Sequence, residues 1–145
     1  MQKKELFMDA IDRIHIRLKL LRSYMKKLSR FERLTEEDLL ADEDRRVMIE
    51  RYFQLACEVV IDIANLLNAE FRFRPANDAK ESIIILGEEG VLKKEFANQF
   101  APMAGFRNIL VHDYIAIDYT KVADYLNSRL GDFETFAKAV ASYLV

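Results

Sequence analysis

Phe7, Ile11, Ile14, Leu18, Leu21, Met25 and Leu28 recur at alternating spacings of four and three residues near the start of the chain. Only an α-helix gathers such a series onto one face, because 3.6 residues per turn stacks positions three and four apart. The series predicts a long first helix, about Lys3 to Arg30, with an apolar seam that a second helix must cover. Little in the rest of the sequence would interrupt helices: four glycines and two prolines stand in 145 residues, among abundant Leu, Ala, Glu, Lys and Arg. With 51% apolar residues, this length suits one domain, 1–145, with a proper core. The fold expected is all-α, a bundle of about five to six helices with a long antiparallel first pair.

Thr35-Glu36-Glu37-Asp38 reads as a capping box, from which a second long helix is expected to run to about Ala69. Its second half is apolar around most of the wheel. Glu50, Gln54, Glu58 and Asp62, each four apart, with Asn65 beside them, form its polar line. That line must face water, a partner chain or a cleft. Arg74-Pro75 closes this unit, Asn77 or Asp78 can cap a third helix through Ile83 to Glu89, and Gly90 ends it. A fourth helix from about Val91 should break at Ala101-Pro102, since proline suits the first turn of a new helix. The new segment runs to Tyr114. Two short amphipathic helices should follow, split at Gly131, with Asp132 as a cap.

Net charge is −2, which argues against a general nucleic-acid coat protein, because such proteins need a broad positive surface. Any basic footprint is local. Lys3 to Arg33 carries ten Lys or Arg against four acids, and Lys19, Arg22, Lys26, Arg30 and Arg33 share a strip about 80° wide on an ideal helix, with His15 on it. Such a strip could guide RNA or be solvated charge flanking a seam. His15 reads as a surface residue. The N-terminus has charges inside its apolar stretch, and no run approaches the roughly 18 to 20 apolar residues of a membrane span, so a soluble, cytoplasmic protein with no membrane association is expected. Cys57 is the single cysteine, with no second Cys or nearby His to complete a zinc set, and reads as a small core residue. No metal and no cofactor are expected.

The sequence has no Gly-rich phosphate loop, His-x-x-x-His pair, Cys-His set or Gly-x-Ser-x-Gly elbow. What remains is the stretch from Arg107 to Tyr114. Asn108 and His112 are four apart and share a helix face, one turn after Ala104 and Gly105, whose small side chains should leave an open groove. Arg107 lies about 140° from His112 on an ideal helix, so its side chain must curl or the helix must unwind. A guanidinium, an amide and an imidazole in one groove suit an RNA phosphodiester: arginine pairs with phosphate oxygens, and histidine exchanges a proton near neutral pH. The 2′-hydroxyl can attack the adjacent phosphorus, so the reaction needs a base, an acid and positive charge, but no metal. One chain supplies one such histidine. A two-fold homodimer with His112 of each chain near its axis would supply both base and acid. Taken by itself, the same string reads first as dipole pairing and capping at a helix end, and only second as catalytic.

Arg107, Asn108 and His112 match the HEPN superfamily signature, an Arg followed by a polar residue, then a His four to six residues after the Arg. With Tyr114 they resemble the HepT subfamily form, in which Arg, four residues, His, any residue and Tyr come in order. YFQLACEVVIDIANLL, EEGVL, MAGFRNILVHDY and LGDFETFAKAV resemble that family in the same order, over roughly residues 45 to 141. The first 40 residues resemble it only in pattern. The resemblance implies a HEPN-type bundle and a metal-independent endoribonuclease toxin of a toxin–antitoxin pair, working as a homodimer on RNA and leaving cyclic phosphate ends. It implies catalytic roles for Arg107, Asn108 and His112. It also implies an MNT-type nucleotidyltransferase antitoxin that adenylylates Tyr114, placing a bulky anion two residues from His112. The alternative is a non-catalytic HEPN subunit that binds nucleotide or substrate for a nucleotidyltransferase, or a purely structural helical dimer. Glu58 and Asp62 could orient Arg107 or be an ordinary wetted stripe, and are not taken as catalytic. Phe96, Phe100 and Phe106 could stack on bases, but at helical spacing they read first as core.

Overall fold

The described residues of the computed structural model are 9–112 and 117–145, with Val111 and His112 placed by backbone alone. Helix α1 spans Ala10–Ser29 and buries Ile14, Leu18, Leu21, Met25 and Leu28, as the seam requires. It starts later than Lys3. Asp9 has an extended backbone and its side chain accepts a hydrogen bond from the Asp12 N–H at 2.8 Å, which satisfies an orphan donor of the first turn and fixes the helix start there. The earlier part of the expected helix lies outside the described residues.

The capping box at Thr35 forms as expected, with Thr35 and Asp38 bonding reciprocally. The helix it starts, α2, is short, Glu36–Ala41, and α3 then runs Glu43–Glu70. The single long helix expected from Thr35 is therefore divided at Asp42. This aspartate leaves the helical region (φ −132°, ψ 98°) and accepts from the Arg45 N–H, so side-chain capping wins over continuation. Helices α1 and α3 run antiparallel, since Arg17 meets Asp62 while Tyr24 meets Tyr52. Cys57 is buried in α3 with Phe53, Ala56 and Val60 around it.

Asp78 caps α4, Ala79–Glu88, and Gly90 takes the left-handed conformation (φ 78°) that ends it. Arg74 bonds Glu88 through two nitrogens, both at 2.9 Å, and Glu81 at 3.0 Å, which ties the α3–α4 connection to α4. Helix α5, Lys94–Phe100, starts a little after Val91, with the break at Ala101-Pro102 where expected. Helix α6, Met103–His112, begins on the Pro102 carbonyl, which accepts from Gly105 and Phe106. Beyond the undescribed residues come α7, Tyr119–Asp124, a π-helical turn, Tyr125–Arg129, and α8, Leu130–Tyr143.

The split expected at Gly131 falls instead at Arg129, and Gly131 lies inside α8. A lone glycine costs a helix only about 1 kcal/mol relative to alanine, far less than burying Phe133, Phe136, Ala137 and Val140 returns. Asp132 pairs with Arg129 at 3.7 Å rather than capping. Edge-to-face contacts join the bundle: Phe100 with Phe133 at 5.3 Å, and Phe53 with Phe106 at 5.4 Å. Among the described residues no helix is long and apolar enough to cross a membrane.

Candidate active site

Phe106 sets the rotation of α6. Its ring lies edge-on to Phe53 of α3 and parallel to Tyr125 of the π turn, 3.9 Å away at an interplanar angle of 4°. Met103, Phe106 and Leu110 are thereby buried, while Gly105 and Asn108 are exposed. Ala104 is 6% exposed, so the opening expected along Ala104 and Gly105 exists only at Gly105. Phe100 and Phe106 are core, and Phe96 is half-buried and stacked on Phe100.

Arg107 follows the buried Phe106 and is half-buried against α3. Its side chain curls, as its helix position demands, and Nη1 donates to Asn108 Oδ1 at 3.0 Å. Nε is buried and has no hydrogen-bond partner in the described structure. A desolvated guanidinium with an unused donor interacts strongly with any anion that reaches it. Its one described hydrogen bond goes to a side chain, not to a helix-end carbonyl, which is not the pattern of a C-terminal cap.

The polar line of α3 faces the same region. Burial raises the Asp62 carboxyl above the usual carboxylate range, Arg17 opposes the rise, Glu58 adds to it, and Arg107 again opposes it. Burial likewise pushes the Cys57 thiol up, against the pull of Arg107. Gln54 donates to Glu58 at 3.3 Å, and Arg17 stands 4.0 Å from Asp62 over a cleft of about 290 Å³ that Asn65 and Leu66 also line. Arg17 is the residue the sequence reading passed over. It flanks the α1 seam on the edge opposite the basic strip, and only the pairing of α1 with α3 brings it to Asp62.

The structure therefore brings Arg107 and Asn108 together, and His112 of the same helix shares the Asn108 face by helical register. Tyr114 lies outside the described residues. Lys19, Arg22 and Lys26 are exposed on α1, as is His15, and so is Arg30 at its C-cap; Arg22 stands 4.0 Å from Glu134 of α8. Arg33 leaves the strip, because its backbone turns left-handed (φ 74°).

Residues 21–140 match a family described as Ribonuclease HepT-like. The chain belongs to that family. It is 31% identical over 132 residues to the tRNA nuclease HepT of Aphanizomenon flos-aquae, covering 91% of this chain and 90% of the relative. It is 30% identical over 87 residues to the mRNA nuclease HepT of Shewanella oneidensis, covering 60% of this chain and 65% of that one. Among solved structures, a tri-AMPylated Shewanella oneidensis HEPN toxin in complex with an MNT antitoxin superposes with a TM-score of 0.81 at 23% identity, over 93% of this chain and 99% of that one. The all-α HepT-like fold expected from the sequence is the fold observed.

Proposed function

We propose that this HepT-like chain is the endoribonuclease toxin of a toxin–antitoxin pair, with Arg107, Asn108 and His112 at its centre. The observation that carries the reading is Arg107: half-buried, aligned by Asn108, and holding a buried donor with no partner among the described residues. Such a group stabilises the charge that grows on a phosphorane. In the reaction, a base takes the proton of a ribose 2′-hydroxyl as its oxygen bonds the adjacent phosphorus. The bond from phosphorus to the 5′-oxygen breaks, and an acid protonates the leaving oxygen. A 2′,3′-cyclic phosphate and a 5′-hydroxyl remain. His112 from each subunit of a homodimer supplies base and acid, and no metal ion takes part.

An MNT-type nucleotidyltransferase partner silences the toxin by transferring adenylate from ATP to the Tyr114 hydroxyl, releasing pyrophosphate. The added anion competes with RNA phosphate for Arg107. The AMPylated toxin–antitoxin complex of the Shewanella protein supports this pairing by similarity of fold. Both steps suit a cytoplasmic protein.

The test is cleavage of labelled RNA in EDTA by wild type, Arg107→Ala and His112→Ala, each confirmed folded and free of adenylate by intact mass. Cleavage by wild type alone is expected. Equal cleavage by all three would place the chemistry elsewhere, and no cleavage by wild type would favour a non-catalytic, nucleotide-binding HEPN subunit.

A further inference from the structure

A second opening of about 360 Å³ lies between α6 and the segment from α7 through the π turn. Gly105 and Ile109 form one wall, Lys121, Tyr125 and Arg129 the other, and Phe106 lies at its base. We propose that this groove is a nucleotide subsite, holding the base and phosphate of a nucleotide next to the scissile bond; the proposal rests on the ribonuclease reading above.

Position is the first reason. Gly105 and His112 are seven residues apart, which places them about 20° apart on the α6 wheel and about 10 Å apart along its axis. The groove is thus on the face of α6 that carries His112, within reach of a neighbouring nucleotide of one strand. Arg107 lies on the other side of that face.

The groove's chemistry is the second reason. Phe106 is buried and covers one face of the half-buried Tyr125, so the surface left to a base is Tyr125 with the Arg129 guanidinium over it, and a nucleobase stacks on either. Ile109 adds an apolar wall. Arg129 is held over the Tyr125 ring at 5.8 Å and between Asp124 at 3.9 Å and Asp132 at 3.7 Å, so its charge is largely answered. Lys121 is exposed and has no ion pair among the described residues, which makes it the phosphate contact. Asp124 offers a carboxylate to base N–H groups.

Two backbone features fit the same role. A Cβ built on Gly105 meets no atom within 4 Å, so packing does not require glycine there, although glycine weakens the helix. Its missing side chain is what keeps the groove open. The π turn, Tyr125–Arg129, is a rare and weaker form that recurs at functional sites, and here both of its end residues face the groove.

The experiment compares Gly105→Leu, which fills the groove, and Lys121→Ala with wild type. It measures anisotropy-based binding of a short labelled RNA whose 2′-hydroxyls are replaced by hydrogen, and steady-state cleavage of the normal RNA. Each variant should bind about tenfold more weakly and raise KM with kcat changed less than about threefold, at unchanged melting temperature. Lys121→Ala should also reduce the slope of log affinity against log salt by about 0.7, as loss of one single-strand phosphate contact does. If wild type cleaves and both variants bind and cleave like it, the subsite is wrong and the ribonuclease reading stands. If wild type does not cleave but both variants lose binding, the groove stands and that reading falls. A wild type that neither binds nor cleaves overturns both.

Discussion

Gly87→Ala tests the close α4–α5 contact that leads into α6. Gly87 is buried near the end of α4, and a Cβ there would stand 2.6 Å from Ala97 Cβ and 3.4 Å from Lys94 Cα of α5. Carbon atoms settle at about 3.5 to 4.0 Å, so the two helices would have to separate by about 1 Å. Neither contact can yield by a rotamer change, because one is backbone and the other an alanine methyl. Helix propensity favours alanine over glycine by about 1 kcal/mol, while overpacking of a tight core costs about 1 to 3 kcal/mol. The net expectation is a loss of up to about 2 kcal/mol, or up to about 8 °C in melting temperature for a chain of this size. Thermal and urea unfolding followed by circular dichroism measure it. Ala97→Gly in the same chain removes the opposing methyl and should restore part of the loss, a coupling that independent sites do not show. Gly105→Ala, where nothing lies within 4 Å of the new Cβ, is the control and should be neutral or stabilising. A Gly87→Ala protein that melts above wild type would refute the packing.

Tyr114→Phe should retain most RNA cleavage while accepting no adenylate when incubated with the proposed nucleotidyltransferase partner and ATP, read by intact mass; adenylate still appearing would exclude Tyr114 as the sole acceptor. Glu88→Gln should flatten the acid side of the stability curve. Arg74 holds the Glu88 carboxyl below the usual carboxylate range, so the folded pKa lies under the unfolded one. The stability this contributes is present above the unfolded value and is lost as pH falls through the folded value. Urea unfolding across that acid range should therefore steepen for wild type and not for the variant, and parallel curves would show that the pair contributes nothing.

Where a local rule had no rival, the sequence was enough. The α1 seam, the Thr35 capping box, the Asp78 cap, the turn at Gly90 and the break before Pro102 each rest on a few neighbouring residues, and each stands where expected. The misses arise where two local rules competed. Asp9 and Asp42 read as ordinary polar residues, but each captures an N–H three residues on and starts a helix, and at Asp42 this divides the expected one. Gly131 reads as a breaker, yet the buried residues of α8 carry the helix through it.

The candidate site divides in the same way. Arg107, Asn108 and His112 were visible as a string on one helix, and the curl of Arg107 followed from its position on the wheel. Arg17 was not visible, because its place beside Asp62 depends on the register of α1 against α3. Nor was the groove behind Gly105, since Tyr125 is 20 residues away in sequence and reaches Phe106 only through the turn of the chain after α7.

The most direct measurement is cleavage in EDTA of one RNA and of the same RNA carrying a single 2′-deoxynucleotide at the mapped cut, by wild type and by His112→Ala. Wild type should cut the normal RNA, leave a cyclic phosphate and a 5′-hydroxyl, and spare the substituted position; His112→Ala should cut neither. Cleavage at the deoxy position, or full cleavage by His112→Ala, would contradict a 2′-hydroxyl attack organised by this helix.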